Sequence, residues 1–255
     1  MVTGATGAIG KAIARQIAER NYQVVLAVRH EKKAKQAVAD ITRATGNNAV
    51  RYELVDVSRN ASVQALANRW QGPLHVLVNN AAVTPTSRQE TPEGIELQFA
   101  TNVLGYVWMT QAFTDILKQS APARVVNVAS YWAGDLDLSD LEFKRRRYRN
   151  GMAYRQAKQA NRMLTVAFAE QLKPFNIAVN ACHPGDVNST LSNNLGFGGN
   201  TPPDEGARTP VWLATDPVGQ QETGKYFAYQ REETCRFGQD RAAVDQLYQL
   251  CRSYP

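Results

Sequence analysis

Short apolar runs recur along this chain at intervals filled by amphipathic stretches, and that alternation calls for a parallel sheet covered by helices. The runs are Tyr22 to Val28, Val50 to Val55, Leu74 to Asn79, Val125 to Ala129 and Ile177 to Cys182. Between them Ile9, Ile13 and Ile17 keep helical spacing, and within Ala153 to Leu172 the residues Met163, Leu164, Ala167 and Phe168 recur at three and four positions. No internal repeat, low-complexity stretch or long linker divides the 255 residues, so residues 1–255 read as a single α/β domain. The expected architecture is a doubly wound parallel sheet with helices on both faces. Its first strand is expected to be truncated. Only Met1 and Val2 precede a glycine-rich turn, whereas a central strand usually takes about five residues. Either residues upstream are absent from this sequence, or the native strand is curtailed.

Composition removes several classes. With 44% hydrophobic and 20% charged residues the chain is not disordered. The longest apolar runs, such as Val24 to Val28, are strand-sized and far short of the roughly 20 residues that span a bilayer, so no membrane insertion is expected. No basic segment followed by an apolar one marks a secretory leader, which leaves a cytoplasmic location as the expectation. Cys182, Cys235 and Cys251 are odd in number and widely spaced, which suits reduced thiols better than a disulfide framework. They and His30, His75 and His183 lack metal-ligand spacing, so no metal is expected. The net charge of +6 favours anionic partners, phosphorylated cofactors among them. Much of it sits in Lys144-Arg145-Arg146-Arg147-Tyr148-Arg149, which reads as a solvated basic loop, because no nucleic-acid motif accompanies it.

The turn is Thr3-Gly4-Ala5-Thr6-Gly7-Ala8-Ile9-Gly10, and it opens a helix. Glycines there permit a tight turn, close approach of backbone to a pyrophosphate, and a helix N-terminus facing the negative charge. The strand Tyr22 to Val28 follows at the distance of a βαβ unit, so the pattern reads as a Rossmann-type dinucleotide site. Where an NAD site usually presents Asp or Glu to the ribose, this chain has Val28-Arg29-His30. A guanidinium at that point pairs with a 2′-phosphate, so NADP(H) is favoured over NAD(H). The competing reading makes Arg29 a solvated loop residue, with Glu31 nearby and the preference open. Asp56-Val57, after the third apolar run, is a candidate for the adenine edge.

A second group of residues carries chemistry. Tyr154 and Lys158 are four apart in a helical stretch, which places phenol and ammonium on one face. A phenol near its ordinary pKa of about 10 is a poor acid-base group at neutral pH, and a neighbouring ammonium favours the phenolate. Ser130 stands at the end of the strand Val125 to Ala129, the end where parallel sheets place ligands.

Taken in order, Thr3 to Gly10, Asp56, Asn79-Asn80-Ala81-Ala82, Asn102 within Phe99 to Gly105, Ser130, Tyr154 with Lys158, and Pro184 to Thr190 resemble the short-chain dehydrogenase/reductase superfamily over essentially the whole chain. The resemblance implies that Tyr154 transfers a proton to or from the substrate oxygen, that Ser130 orients that oxygen, and that Lys158 lowers the phenol's pKa and holds the nicotinamide ribose. It implies that Asn102 positions a water in the proton path. Asn79, Asn80 and Ala81 would border the cofactor, alongside Gly4, Thr6, Gly7, Ala8, Ile9 and Gly10 of the turn. Pro184, Gly185 and Val187 would lie against the nicotinamide, with Thr190 or Ser189 reaching its carboxamide. The spacing Gly4-x-x-Gly7-x-x-Gly10 resembles extended, epimerase-like members, but the 97 residues after Lys158 are too few for their larger C-terminal domain.

Ser130 and Tyr154 stand 24 positions apart, more than in compact members. This insert, with Arg29 and the His183-Pro184-Gly185 turn, resembles the retinol dehydrogenase and protochlorophyllide reductase branch, which favours NADP and lipophilic substrates. The expected activity is therefore interconversion of a carbonyl and an alcohol on a small-molecule substrate, with Tyr131, Trp132, Leu191, Leu195 and Phe197 as candidate pocket residues. Reduction of a conjugated carbon-carbon bond and a non-catalytic NADP-binding sensor are the alternatives. The stretch Leu191 to Pro203, rich in Asn, Gly and Pro, reads as a lid. Homo-oligomerisation through helices spanning Pro92 to Lys118 and Met152 to Leu172 matches the family's habit.

Overall fold

A computed structural model describes residues 1–255. The strands are β1 (Val2–Thr3), β2 (Val24–Val28), β3 (Val50–Leu54), β4 (Val76–Asn79), β5 (Ala123–Val128), β6 (Ile177–His183), β7 (Tyr226–Ala228) and β8 (Arg231–Glu233). They form one sheet in the order β3-β2-β1-β4-β5-β6-β7-β8. The first seven run parallel, while β8 returns antiparallel along β7, so the expected all-parallel sheet carries a hairpin at one edge. The sequence hid that edge because Arg231-Glu232-Glu233 is exposed throughout and has no apolar face to alternate. The first strand is indeed two residues long, yet it is central: Val2 pairs with Leu26 on one side and Val78 on the other.

Strand side chains alternate between two cores, as a pleat requires. Val25 and Ala27 point into the larger core, packed by α3 (Asn60–Arg69) and by the helices Gly105–Ala112, Asn150–Leu172 and Arg241–Arg252. Val24, Leu26 and Val28 point into the other, with α1 (Ala8–Ala18), α2 (Glu31–Thr45) and the helix Arg208–Thr215. Chain order reverses between β1 and β4, and the crevice at such a point, beyond the strand C-termini, is where open α/β sheets take ligands.

Two features outside the crevice revise the sequence reading. Part of the surface that Asn150–Leu172 offered to a second copy is covered by the chain's own C-terminal helix: Tyr248 meets Phe168 edge-on at 5.4 Å and donates to Gln171 Oε1 at 2.7 Å. The basic run is also more than a solvated loop. Buried Asp140 accepts from Lys144 N at 2.8 Å and from Arg146 N and Nε at 3.0 and 3.1 Å, and Arg146 reaches Gln156 Oε1 at 2.9 Å. One arginine of the run thus fastens the insert to the long helix, while Lys144, Arg145, Arg147 and Arg149 remain exposed.

Candidate active site

The glycine turn is built against the end of β4. Thr3 Oγ1 accepts from Asn80 N at 2.8 Å and Ala81 N at 3.0 Å, and Asn80 Nδ2 donates back to Thr3 O at 2.8 Å. Gly4 adopts φ +64°, and a Cβ there would lie 2.8 Å from Ala81 Cα, so this position requires glycine. Helix α1 starts with Gly7 as its N-cap and no side chain capping it, which leaves the first N–H groups directed at the crevice.

A cavity of about 470 Å³ opens over this turn, lined by Gly4, Thr6, Gly7, Ala8, Ile9 and Gly10, with Asn80 and Ala81 on the β4 side. Arg29, Asp56 and Val57 close the end beyond β2 and β3, and Thr190 borders the other. Arg29 and Lys33 both line it and neither enters an ion pair. Glu31 is engaged elsewhere, with Lys35 Nζ at 2.9 Å and the Tyr52 hydroxyl at 3.1 Å. The competing carboxylate is therefore spoken for. Lys33 lies in the first turn of α2 and Arg29 before that helix, so no helical spacing in the sequence pairs the two. Asp56 Oδ1 accepts from Ser58 N at 3.0 Å and Ser58 Oγ at 2.7 Å, so this carboxylate shapes the turn that follows β3.

Asn79 departs from expectation. It is fully buried inside the sheet, donating to Thr110 Oγ1 at 3.2 Å and Asn127 Oδ1 at 3.0 Å, and does not line the cavity. Asn127 continues the chain to Thr165 at 2.9 Å, so Asn79 cross-links strands to helices rather than bordering a cofactor. The sequence pair Asn79-Asn80 gave no sign of which side chain faced out; strand alternation sends successive residues to opposite faces.

Adjoining this cavity is a second, of about 380 Å³, which shares Ile9, Asn80, Ala82, Ser189 and Leu191 with the first. Ser130, Tyr154 and Lys158 line it, as do Pro184, Gly185 and Val187 and all five candidate pocket residues, Tyr131, Trp132, Leu191, Leu195 and Phe197. The Leu191 to Pro203 stretch begins inside a short helix, Thr190–Asn194, fixed by a reciprocal cap between Ser189 and Ser192. The Ser189 hydroxyl is thus used within the turn, and of the two candidates for a carboxamide partner Thr190 is the freer.

At the floor, Tyr154 and Ser130 line the same cavity, and Ser130 Oγ accepts from Trp132 N at 3.1 Å. Burial pushes the Tyr154 phenol up to about 12, the neighbouring Ser130 hydroxyl works the other way, and the charge of Asp186 adds to the rise. The expected lowering by Lys158 is not what this geometry gives. Lys158 Nζ donates to Val128 O at 2.8 Å and sits 5.6 Å from the Tyr154 ring centroid. Burial pushes the amine down to about 7.

Asn102 occupies a π-helical turn, Ala100–Leu104, at whose end the Gly105 N–H reaches Ala100 O five residues back. Its Oδ1 accepts from Val83 N at 2.8 Å and its Nδ2 donates to Val83 O at 2.9 Å, which uses the side chain to clamp the segment after β4. Asn102 lines neither cavity. Such π turns recur at functional sites, but the apolar pattern of Phe99 to Gly105 resembles any buried helix and conceals one.

The short chain dehydrogenase family model matches residues 1–197, and this chain belongs to that family. Within it the chain falls in the retinol dehydrogenase-like branch. Retinol dehydrogenase 13 of Mus musculus is 32% identical over 253 residues, which cover 91% of this chain and 76% of that protein. Retinol dehydrogenase 12 of Homo sapiens is 36% identical over 196 residues, covering 75% of this chain and 62% of that one. Among solved structures, an uncharacterized protein from Mycobacterium Paratuberculosis superposes with TM-score 0.80 at 27% identity, covering 98% of this chain and 90% of the other. The 3-ketoacyl-(acyl-carrier-protein) reductase from Brucella melitensis complexed with NADH shares the fold, with TM-score 0.68 at 24% identity over 89% of this chain and 94% of the other. Membership makes the protein an oxidoreductase of a family that works with a nicotinamide cofactor. No helix is long and apolar enough to cross a membrane.

Proposed function

We propose that this protein interconverts a carbonyl and an alcohol with NADP(H), using Tyr154 as the proton-transferring group. The observation that carries the reading is the adjacency of the two cavities: Tyr154, Ser130 and Lys158 line one, and it shares Ile9, Asn80, Ala82, Ser189 and Leu191 with a cleft that ends at Arg29 and Lys33.

The residues present fit a dinucleotide. A Cβ at Gly10 would stand 2.5 Å from Gly4 O and 2.6 Å from Asn80 Nδ2, so the turn is already as tight as backbone allows, and an uncapped helix N-terminus faces the space above it. Two unpaired cations at the β2 end suit a 2′-phosphate, while Glu31 is paired with Lys35 and Asp56, in the same lining, is turned to Ser58. When bound, the cofactor supplies or accepts the hydride. The chain's own part is positional and protonic. Ser130 orients the substrate oxygen, and Tyr154 Oη delivers its proton as charge develops there. A phenol held near 12 keeps that proton at neutral pH, which suits the reductive direction. Lys158, anchored on Val128 O, would hold a ribose hydroxyl and, in its charged form, favour the phenolate left behind. Apolar walls from Trp132, Leu191, Leu195 and Phe197 suit an aldehyde or ketone on a hydrophobic body.

Mixing the protein with NADPH and a panel of aromatic and long-chain aldehydes tests this. Loss of NADPH absorbance is expected, together with its disappearance in Tyr154→Phe. Undiminished turnover in that variant would remove Tyr154 from the role.

A further inference from the structure

We propose that the cavity beside Tyr154 selects substrates that carry a positively charged nitrogen, with Asp186 as the residue that sets the preference. The inference rests on the carbonyl-alcohol reading above and adds to it a substrate class.

Four aromatic side chains, Tyr131, Trp132, Tyr154 and Phe197, line this cavity together with one carboxylate, Asp186. Trp132 packs on Phe197 at 5.7 Å and on Tyr154 at 5.9 Å, so the rings form a connected wall. Ring faces carry negative quadrupole density and attract organic cations, most strongly where water is excluded. The one cationic side chain in the wall, Lys158, is turned to Val128 O, so no free positive charge answers the carboxylate. Asp186 enters no ion pair. One of its oxygens accepts from the Tyr131 hydroxyl at 3.3 Å, and that is its only side-chain hydrogen bond.

The carboxylate is held in place from its backbone. Gly185 turns the chain at φ +92°, and the Asp186 carbonyl accepts from both Asn200 N and Thr201 N at 2.9 Å. Its field is felt in the cavity: after burial, the Asp186 charge is among the influences that push the Tyr131 and Tyr154 phenols up. His183 lies edge-on to Tyr131 at 4.6 Å, and burial pushes it down to about 4, so it stays neutral; Arg162, whose charge also reaches His183, is stacked on the Tyr226 ring at 3.6 Å and lines no part of this cavity. A substrate carboxylate entering here would meet a like charge, whereas an organic cation would gain coulombic attraction to Asp186 and the faces of the rings.

Three aldehydes of one shape provide the test: 4-formyl-N,N,N-trimethylanilinium, benzaldehyde and 4-carboxybenzaldehyde, each with NADPH. The cation-to-anion ratio of kcat/KM in the parent protein is expected to fall about tenfold, equivalent to ~1.4 kcal/mol, in Asp186→Asn and to survive in Asp186→Glu. Comparing the ratio between proteins cancels the electronic effect of each substituent on its own carbonyl. An unchanged ratio, or an equal change for all three aldehydes, overturns the inference. Calorimetric binding of benzyltrimethylammonium to the protein with NADPH, whose dihydronicotinamide is neutral, separates the two levels. Binding about tenfold tighter to the parent than to Asp186→Asn upholds the cation site even if no aldehyde is reduced, and equal binding removes it.

Discussion

Replacing Gly10 by alanine sets two calculable effects against each other. Gly10 is the third residue of α1, and in an isolated helix alanine would be favoured there by about 1 kcal/mol. In the folded chain the added Cβ would meet Gly4 O at 2.5 Å, Asn80 Nδ2 at 2.6 Å and Ala5 Cα at 3.0 Å. Two of these contacts are backbone. Gly4 O already accepts from Gly7 N at 3.0 Å, so it cannot retreat without opening the turn. Asn80 Nδ2 can swing aside only by giving up its 2.8 Å bond to Thr3 O, a loss of about 1 kcal/mol. Overpacking of this kind costs about 1–3 kcal/mol, which outweighs the propensity gain. Gly10→Ala should therefore unfold in urea with stability lower by about 1–2 kcal/mol, and its affinity for NADPH should fall further as the turn opens. A variant as stable as the parent, or more stable, would show that the turn is not tightly packed and would refute the reasoning.

Removing the charge at Arg29 (Arg29→Ala) should raise KM for NADPH by about tenfold while leaving KM for NADH nearly unchanged, and added salt should shrink the difference; equal effects on both cofactors would take Arg29 out of phosphate recognition. His183 is buried with neither ring nitrogen hydrogen-bonded and is pushed down to about 4. The unfolded imidazole binds a proton below about 6.5, so its contribution is present above that pH and is lost as pH falls through about 4. His183→Gln should flatten the acid side of a pH series of urea midpoints. Asp140→Asn should destabilise by about 2–4 kcal/mol, because the backbone N–H groups of Lys144 and Arg146 and the Arg146 guanidinium would lose their shared buried carboxylate; an unchanged urea midpoint would mean the insert is not anchored there.

Much of the sheet was legible because its central strands, buried on both faces, are continuous apolar runs, and its helices carry apolar residues at three and four. What failed did so for identifiable reasons. β8 is wholly exposed, and β7 is three residues long, so neither leaves a pattern. The C-terminal helix Arg241–Arg252 is strongly amphipathic, with Val244, Leu247 and Cys251 buried at helical spacing. At the site, Ser130, Tyr154, Lys158, Arg29 and the glycine turn converge as spacing and strand ends suggested. Asn79 and Asn102 do not, because a motif records which residue types recur and not which of two neighbouring amides turns inward. Lys158 shows the other gap: spacing of four puts it beside Tyr154, but only burial decides that both pKa values move away from the charged forms.

The most direct measurement is the fate of a labelled hydride. With NADPH carrying deuterium at the transferred C4 position and an aldehyde that the protein reduces, the product alcohol should gain one mass unit at its carbinol carbon, and Tyr154→Phe should form none above the uncatalysed background. Deuterium appearing equally in the variant's product, or an alcohol without label, would contradict proton transfer from Tyr154 to a substrate held beside the cofactor cleft.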